Sequence, residues 1–256
     1  MSSHQAPLKS MLEEKKFVDL RITCKDQTFM VHRVIICGHS KFFDTACSSN
    51  FQESLSGTID LPEDDPELVR RLIDYAYTGK YTDSAEKKNA SGGEEGPTYF
   101  YSYHEPVSQP KNANKFGDML LAADMYKLAD KFMAPELKAY SLKRFKEEAE
   151  RLKAWPHSKD MAGFSAVIDK VYNLAPPDAE ADLRPCLIGL ICGNVHVKDF
   201  WEGLQETFGQ NPDVAIEVMD KLRQELWHEQ QAHADLRDSH DSREDFPASR
   251  CCRRPR

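Results

Sequence analysis

A short alternation of apolar and polar residues constrains the fold of this sequence more than any other feature. The apolar positions are Val18, Leu20, Ile22 and Cys24, and a polar residue separates each from the next. A period of two turns alternate side chains to opposite faces, so the pattern predicts a β-strand with one buried face. The alternation resumes at Phe29 and Val31 after a polar break, which predicts the second arm of a hairpin.

Helical signals follow the predicted hairpin. An apolar run over 34–37 ends at Gly38, which indicates a short helix with its stop signal. Ser40 is a predicted N-cap for the next helix, because its hydroxyl can accept from an unpaired backbone N–H. Residues 58–61 read as a further short strand, which Pro62 ends.

A longer amphipathic helix is predicted behind the third strand. Asp65 followed by Pro66 is a typical helix start, and Gly79 supplies the stop. The apolar positions between them are Leu68, Val69, Leu72, Ile73 and Ala76. Their spacing places them on one face of the helix, which we expect to be buried.

Residues 83–115 interrupt this regular pattern. The first half has the polar, glycine-rich composition of a disordered loop. The second half contains an aromatic cluster at 98–104, which either packs on the body of the protein or offers a binding edge.

Order is expected again from Phe116, first as a helical hairpin and then, over 157–230, as an all-α region of four amphipathic segments. Residues 1–16 predict a short N-terminal helix, and the polar residues 231–256 predict a disordered tail. The tail ends in RCCRRPR, which is either a solvated end or a weak nuclear signal.

The charge of the chain argues against two classes of partner. Its net charge is -8, and nucleic acids and anionic membranes both attract positive surfaces. We therefore expect no direct nucleic-acid binding and no membrane insertion. Seven cysteines without a recognisable secretory signal indicate reduced thiols and a cytoplasmic and/or nuclear protein.

No residue pattern indicates catalysis. The sequence has no GxSxG motif, and its only glycine pair lies in a polar loop without a following lysine. Cys186, Cys192 and His196 are spaced poorly for a metal, since structural zinc usually has four ligands at short spacings. We therefore predict a non-enzymatic protein with no catalytic residues, no cofactor and no metal.

Three separated segments together resemble one family. They are FVDLRITCKDQTFMVHRVIICGHSKFF, FQESLSGTIDLPEDDPELVRRLIDYAYTGKY and LLAADMYKLADKFMAPELKAYSLKRF. In this order they resemble a BTB/POZ domain over 17–150, most like the BTB proteins of filamentous fungi, which also carry an insertion before MYKLADKF. The resemblance implies an α+β BTB/POZ fold, a small sheet flanked by a helical cluster, followed by an all-α C-terminal region.

The resemblance also implies function. BTB domains are platforms that self-associate and bind partners such as cullin ubiquitin-ligase scaffolds or co-repressors. The corresponding dimer face here comprises Leu8, Met11, Leu12, Val34, Phe42 and Phe43. Asp19 and Arg33 match the charged-pocket pair of the family, and His32 beside them is expected to be a packed structural histidine.

A cullin-type face would comprise Tyr77, Thr78, Lys80 and Tyr81, although the insertion at 83–115 follows at once and could cover it. Two functions therefore remain open. One is a self-associating scaffold that serves as a cullin ubiquitin-ligase adaptor. The other is a nuclear, transcription-linked regulator that recruits co-factors through the BTB domain.

Overall fold

The computed structural model describes residues 5–48, 52–82, 116–153, 161–173 and 183–244. The chain forms two compact units, Met1–Leu190 and Ile191–Arg256. The predicted insertion at 83–115, with its aromatic cluster, and the RCCRRPR end lie outside the described residues.

A three-stranded sheet lies in the first unit. Its strands are β1 (Leu20–Cys24), β2 (Gln27–Val31) and β3 (Thr58–Asp60), in the spatial order β2-β1-β3. β1 pairs antiparallel with β2, with Ile22 opposite Phe29, and parallel with β3, with Ile22 opposite Ile59. The predicted hairpin is confirmed, and its alternation puts Leu20, Ile22 and Cys24 on the buried face.

Helices make up most of the remaining described chain. In the first unit they are α1 (Gln5–Glu13), α2 (Arg33–His39), α3 (Lys41–Ser48), α4 (Gln52–Ser56), α5 (Pro66–Thr78), α6 (Gly117–Lys131), α7 (Pro135–Lys153) and α8 (Met161–Asn173). α9 (Leu183–Asn194) spans the division between the units, and α10 (Lys198–Gln210) and α11 (Pro212–Glu244) follow. Among the described residues, no helix is both long enough and apolar enough to cross a bilayer.

Three helix boundaries follow local signals in the sequence, whereas α2 continues through Gly38, the predicted stop, to His39. The Asp65 carboxylate accepts from the backbone N–H of Glu67 at 2.8 Å, with Pro66 in the first turn. Gly79 ends α5 in the left-handed conformation with φ 71°, which glycine adopts without steric cost. Ser40 Oγ accepts from the N–H of Phe43 at 3.3 Å. All three predicted caps are confirmed.

The core of the first unit joins the sheet to α3, α5 and α6. Phe43 is fully buried and stacks on Phe132, with ring centroids 5.2 Å apart. The hydroxyl of Ser40 donates to the carbonyl of Phe132 at 2.6 Å, so one residue both caps α3 and fastens it to the end of α6.

α8 packs against α6 through a small aromatic and ionic contact. The rings of Phe116 and Phe164 lie 5.6 Å apart. Lys170 Nζ bonds both carboxylate oxygens of Asp124, at 2.6 and 2.8 Å. A glycine, Gly163, lies directly over the Phe116 ring, and a Cβ added there would be 2.7 Å from Phe116 Cδ2.

We expect Gly163→Ala to lower the free energy of unfolding by about 1–3 kcal/mol, the usual cost of overpacking a tight core. In an open helix the same change would be favourable by about 1 kcal/mol. Here the Phe116 ring is 1% exposed and has little room to move. Urea unfolding measures the effect. Gly189→Ala in α9 is the matched control, because its Cβ would meet no atom within 4 Å. Equal effects of the two changes would contradict the packing argument.

In the second unit, α10 and α11 pack on each other. Their buried positions include Phe200 and Leu204 in α10, and Val214 and Val218 in α11. The structure corrects one boundary: residues 231–244, predicted as part of a disordered tail, continue α11 as helix. Within this segment Gln231, Ala232, Ala234 and Leu236 are residues that favour helix.

Candidate interaction surfaces

His32 lies at the centre of a buried hydrogen-bond network that joins β2, α5 and the segment after α1. Its Nδ1 lies 2.7 Å from the hydroxyl oxygen of Tyr77, and its Nε2 lies 2.7 Å from the carbonyl oxygen of Lys16. The backbone N–H of His32 donates to the same Tyr77 hydroxyl at 2.8 Å. His32 is 9% exposed, so it is a packed histidine that ties the end of α1 to the sheet and to α5.

The protonation of this network follows from its acceptors. A carbonyl only accepts, so Nε2 of His32 carries a proton, and in the neutral imidazole Nδ1 accepts from the Tyr77 hydroxyl. Burial raises the pKa of Tyr77 to about 12, so at neutral pH the phenol keeps the proton that it donates. Each polar atom in the network thereby has a partner.

Asp19 and Arg33 are brought together, but not as a pair of charged side chains. The Asp19 carboxylate accepts from the backbone N–H of Arg33 at 2.7 Å, at the first residue of α2. Within the described part of the chain the Arg33 guanidinium forms no ion pair with Asp19. Asp19 is exposed, and it stabilises the start of α2 by holding an amide that the helix leaves unpaired.

The structure divides the predicted dimer face into core and surface. Leu12 and Phe43 are buried, at 3% and 0% exposure, and Leu8 and Phe42 are partly buried against the same core. The accessible members are Met11 and Val34, at 38% and 77% exposure. The reason is that α1 packs on α5 and α3 on α6 of the same chain, so their most apolar positions are used internally.

One exposed residue beside these was not predicted. Phe17 is 81% exposed and has a left-handed φ of 60°, which is unusual for a non-glycine residue. The sequence gives no signal for it, since an aromatic residue just before a strand is normally expected to be buried. Met11, Phe17 and Val34 are called the junction surface below, because they flank the junction of α1, β1 and α2.

The predicted cullin-type face is divided in the same way. Tyr77 is 1% exposed and belongs to the His32 network, and Tyr81 is 5% exposed and packs edge-on against Tyr140. Thr78 is half-buried and Lys80 is exposed. The accessible part of this predicted face is therefore the short turn at Thr78 and Lys80.

A buried arginine anchors the chain just beyond this turn. Arg71 is 6% exposed, and its Nε donates to the carbonyl of Thr82 at 3.2 Å. Its Nη1 lies 2.9 Å from Glu67, so the charge is paired within α5. The Arg71–Thr82 hydrogen bond holds the chain at Thr82 against α5.

Three of the described cysteines have thiols of low reactivity. Burial raises the pKa of the Cys37 thiol to about 12, and it also raises the pKa of the Cys24 and Cys192 thiols. These three thiols stay protonated at neutral pH and pack as small hydrophobic groups. The described residues contain no cluster of three potential metal ligands.

Comparison with known proteins identifies the first part of the chain. The family model of the BTB/POZ domain matches residues 8–91, which contain the sheet and α2 to α5. This part of the chain is a BTB/POZ domain. The predicted fold class is confirmed: the BTB/POZ domain has a small sheet with a helical cluster, and the described residues beyond it are mostly helical.

Several curated relatives are similar to this chain over segments of comparable length to the family match. Kelch-like protein 7 of Mus musculus is 26% identical over 73 residues, which is 28% of this chain and 12% of that protein. Kelch repeat and BTB domain-containing protein 4 of Macaca fascicularis is 31% identical over 83 residues, covering 32% and 15%. Kelch-like ECH-associated protein 1A of Danio rerio is 35% identical over 65 residues, covering 25% and 11%. The chain thus spans less than a sixth of these relatives, and the shared part is a protein-interaction domain.

Proposed function

We propose that this protein is a self-associating scaffold whose BTB/POZ domain recruits a cullin, as a ubiquitin-ligase adaptor does. The observation that carries the proposal is the junction surface, because three large apolar side chains are exposed around one buried network. Exposed apolar side chains that lie in one region tend to mark a contact site, and hydrogen bonds through Lys16 and His32 bring the segments that carry these three residues together.

The His32 network holds this surface in place. Phe17 follows Lys16, whose carbonyl accepts from His32, and the N–H of Lys16 donates to the carbonyl of Met11 at 2.9 Å. Val34 lies in the first turn of α2, two residues after His32. A left-handed conformation at a residue such as Phe17 costs about 1–3 kcal/mol, so the fold presents this ring outward at an energetic cost. A two-fold interface uses the same patch on both copies and would bury all three side chains twice.

Cullin recruitment rests on a second region and on the relatives. Thr78 and Lys80 are accessible at the end of α5, where the resemblance to BTB proteins predicts cullin contacts. One relative is named as a protein that contains kelch repeats and a BTB domain. The alternative, a nuclear regulator that recruits co-repressors, would use the same self-association without cullin affinity. The fungal affiliation and the cytoplasmic or nuclear location remain predictions.

We expect Val34→Glu to raise the dissociation constant for self-association at least about tenfold, because a carboxylate without a partner is costly to bury in an apolar interface. Light scattering across a dilution series measures the mass. Leu55→Glu is the matched control, because Leu55 is 86% exposed on α4 and makes no part of the junction surface. If Val34→Glu keeps the wild-type mass at every concentration, the junction surface is not the interface.

Calorimetry of the full chain with a cullin N-terminal domain tests the adaptor role. We expect micromolar or tighter binding, a free energy of about -8 kcal/mol or better. Lys80→Glu should weaken this binding and leave the mass unchanged. A wild-type chain that self-associates but shows no cullin binding would overturn the adaptor proposal and favour the nuclear regulator.

A further inference from the structure

α11 is far longer than the packing around it requires. It contains 33 residues, which corresponds to about 50 Å. Val214 and Val218 near its start are buried, whereas the side chains at 223–237 are all exposed. A solvent-exposed helical segment of this length is marginally stable alone in water, so a partner helix would stabilise it.

The exposed part of α11 carries an apolar stripe with two polar positions. Met219, Leu226 and Leu236 are 61%, 59% and 64% exposed, and Leu222 is half-buried between the first two. Together with positions 229 and 233, these residues are spaced alternately by three and four, which is the seam of a two-stranded coiled coil. The two remaining positions hold Glu229 and His233.

We propose that α11 pairs antiparallel with α11 of a second copy of this chain, with Gln231 at the midpoint. Leu226 and Leu236 lie equally far from Gln231, and so do Glu229 and His233. One alignment therefore sets each Leu226 against the Leu236 of the other copy and each Glu229 against its His233. The overlap covers 218–244, about 40 Å of helix.

Charge complementarity selects this alignment over the parallel one. A parallel pair in register would set Glu229 against the Glu229 of the other copy, and like charges in a seam repel. In the antiparallel pair each carboxylate meets an imidazole that can donate a hydrogen bond to it. The Glu229–His233 layers next to the Leu226–Leu236 layers also fix the register, because other alignments leave these groups without partners. This pairing does not rest on the proposed function, since it uses a different surface, in the second unit.

Disulfide trapping of the full chain distinguishes the alignments. Leu226→Cys and Leu236→Cys chains are prepared separately and then mixed under a mild oxidant. We expect the mixture to yield covalent dimers well above the level of wild-type chains, whose own seven cysteines set the background. Each variant alone should stay at that background. A mixture at background, or equal dimers from each variant alone, would overturn the antiparallel pairing.

The same trapping in a Val34→Glu background separates this pairing from the junction surface. We expect the α11 cross-link to persist there, because the two surfaces are independent. Without any cross-linking, Leu226→Glu should lower both the solution mass at a fixed concentration and the helix content seen by circular dichroism. Gln231→Glu, on the opposite side of α11, should change neither. If Leu226→Glu leaves both unchanged, α11 does not pair.

Discussion

Phe43→Ala should lower the free energy of unfolding by about 3–5 kcal/mol, the cost of deleting a fully buried aromatic ring. The Phe43 ring stacks on Phe132 and meets Phe42 edge-on, with both pairs of centroids 5.2 Å apart. Removal of the Phe43 ring leaves a cavity next to the rings of Phe42 and Phe132. Urea unfolding at a fixed protein concentration measures the change, since self-association makes stability concentration-dependent.

The control for this change truncates an apolar residue that is exposed. Leu55→Ala should shift the free energy of unfolding by no more than about 0.5 kcal/mol, because Leu55 is 86% exposed. A Phe43→Ala variant as stable as Leu55→Ala would show that Phe43 is not part of the core. The expected result also bears on function, since it removes Phe43 from the surface that the resemblance assigned to self-association.

Tyr77→Phe should lower the free energy of unfolding by about 1–3 kcal/mol, the cost of leaving buried polar groups without a partner. The change deletes one oxygen, but that oxygen accepts from the N–H of His32 and donates to its Nδ1. Urea unfolding and the exchange rate of the His32 amide proton measure the loss, and we expect faster exchange in the variant.

Tyr75→Phe is the matched control on the same helix. Tyr75 is also buried, but among the described residues its hydroxyl forms no hydrogen bond. Its loss should change the free energy of unfolding by no more than about 0.5 kcal/mol. If both substitutions cost the same, the His32 network is not what holds α1 and the junction surface in place.

Local features of this fold could be predicted because their causes are local. The hairpin follows from a period of two, and the starts and ends of helices follow from Ser40, Asp65 with Pro66, and Gly79. Each of these signals acts through backbone groups only a few residues away. The prediction of a disordered tail missed the helix over 231–244 because Leu236 is the one large apolar residue in this segment, and one residue does not show a period.

The sequence suggested candidate interaction residues but could not divide them into surface and core. The resemblance led to α1, α2 and the end of α5, and the exposed residues Met11, Val34 and Lys80 do lie there. It also included Leu12 and Tyr77, which the structure buries. Neighbouring residues of similar apolar character differ in exposure because each helix has only one face toward the core.

The sequence by itself determined the hairpin, the third strand, α5 and the caps, since these depend on patterns within short segments, but it carried no signal for α4. The class of domain came from the resemblance of three separated segments to one family. Only the tertiary structure decided that Tyr77 forms hydrogen bonds with His32, 45 positions away, and that Ser40 forms one with Phe132, 92 positions away. It also decided that Asp19 holds the backbone of Arg33 rather than its charge. Burial and hydrogen bonding between distant segments depend on how the helices pack against the sheet, and no local pattern in the chain encodes that packing.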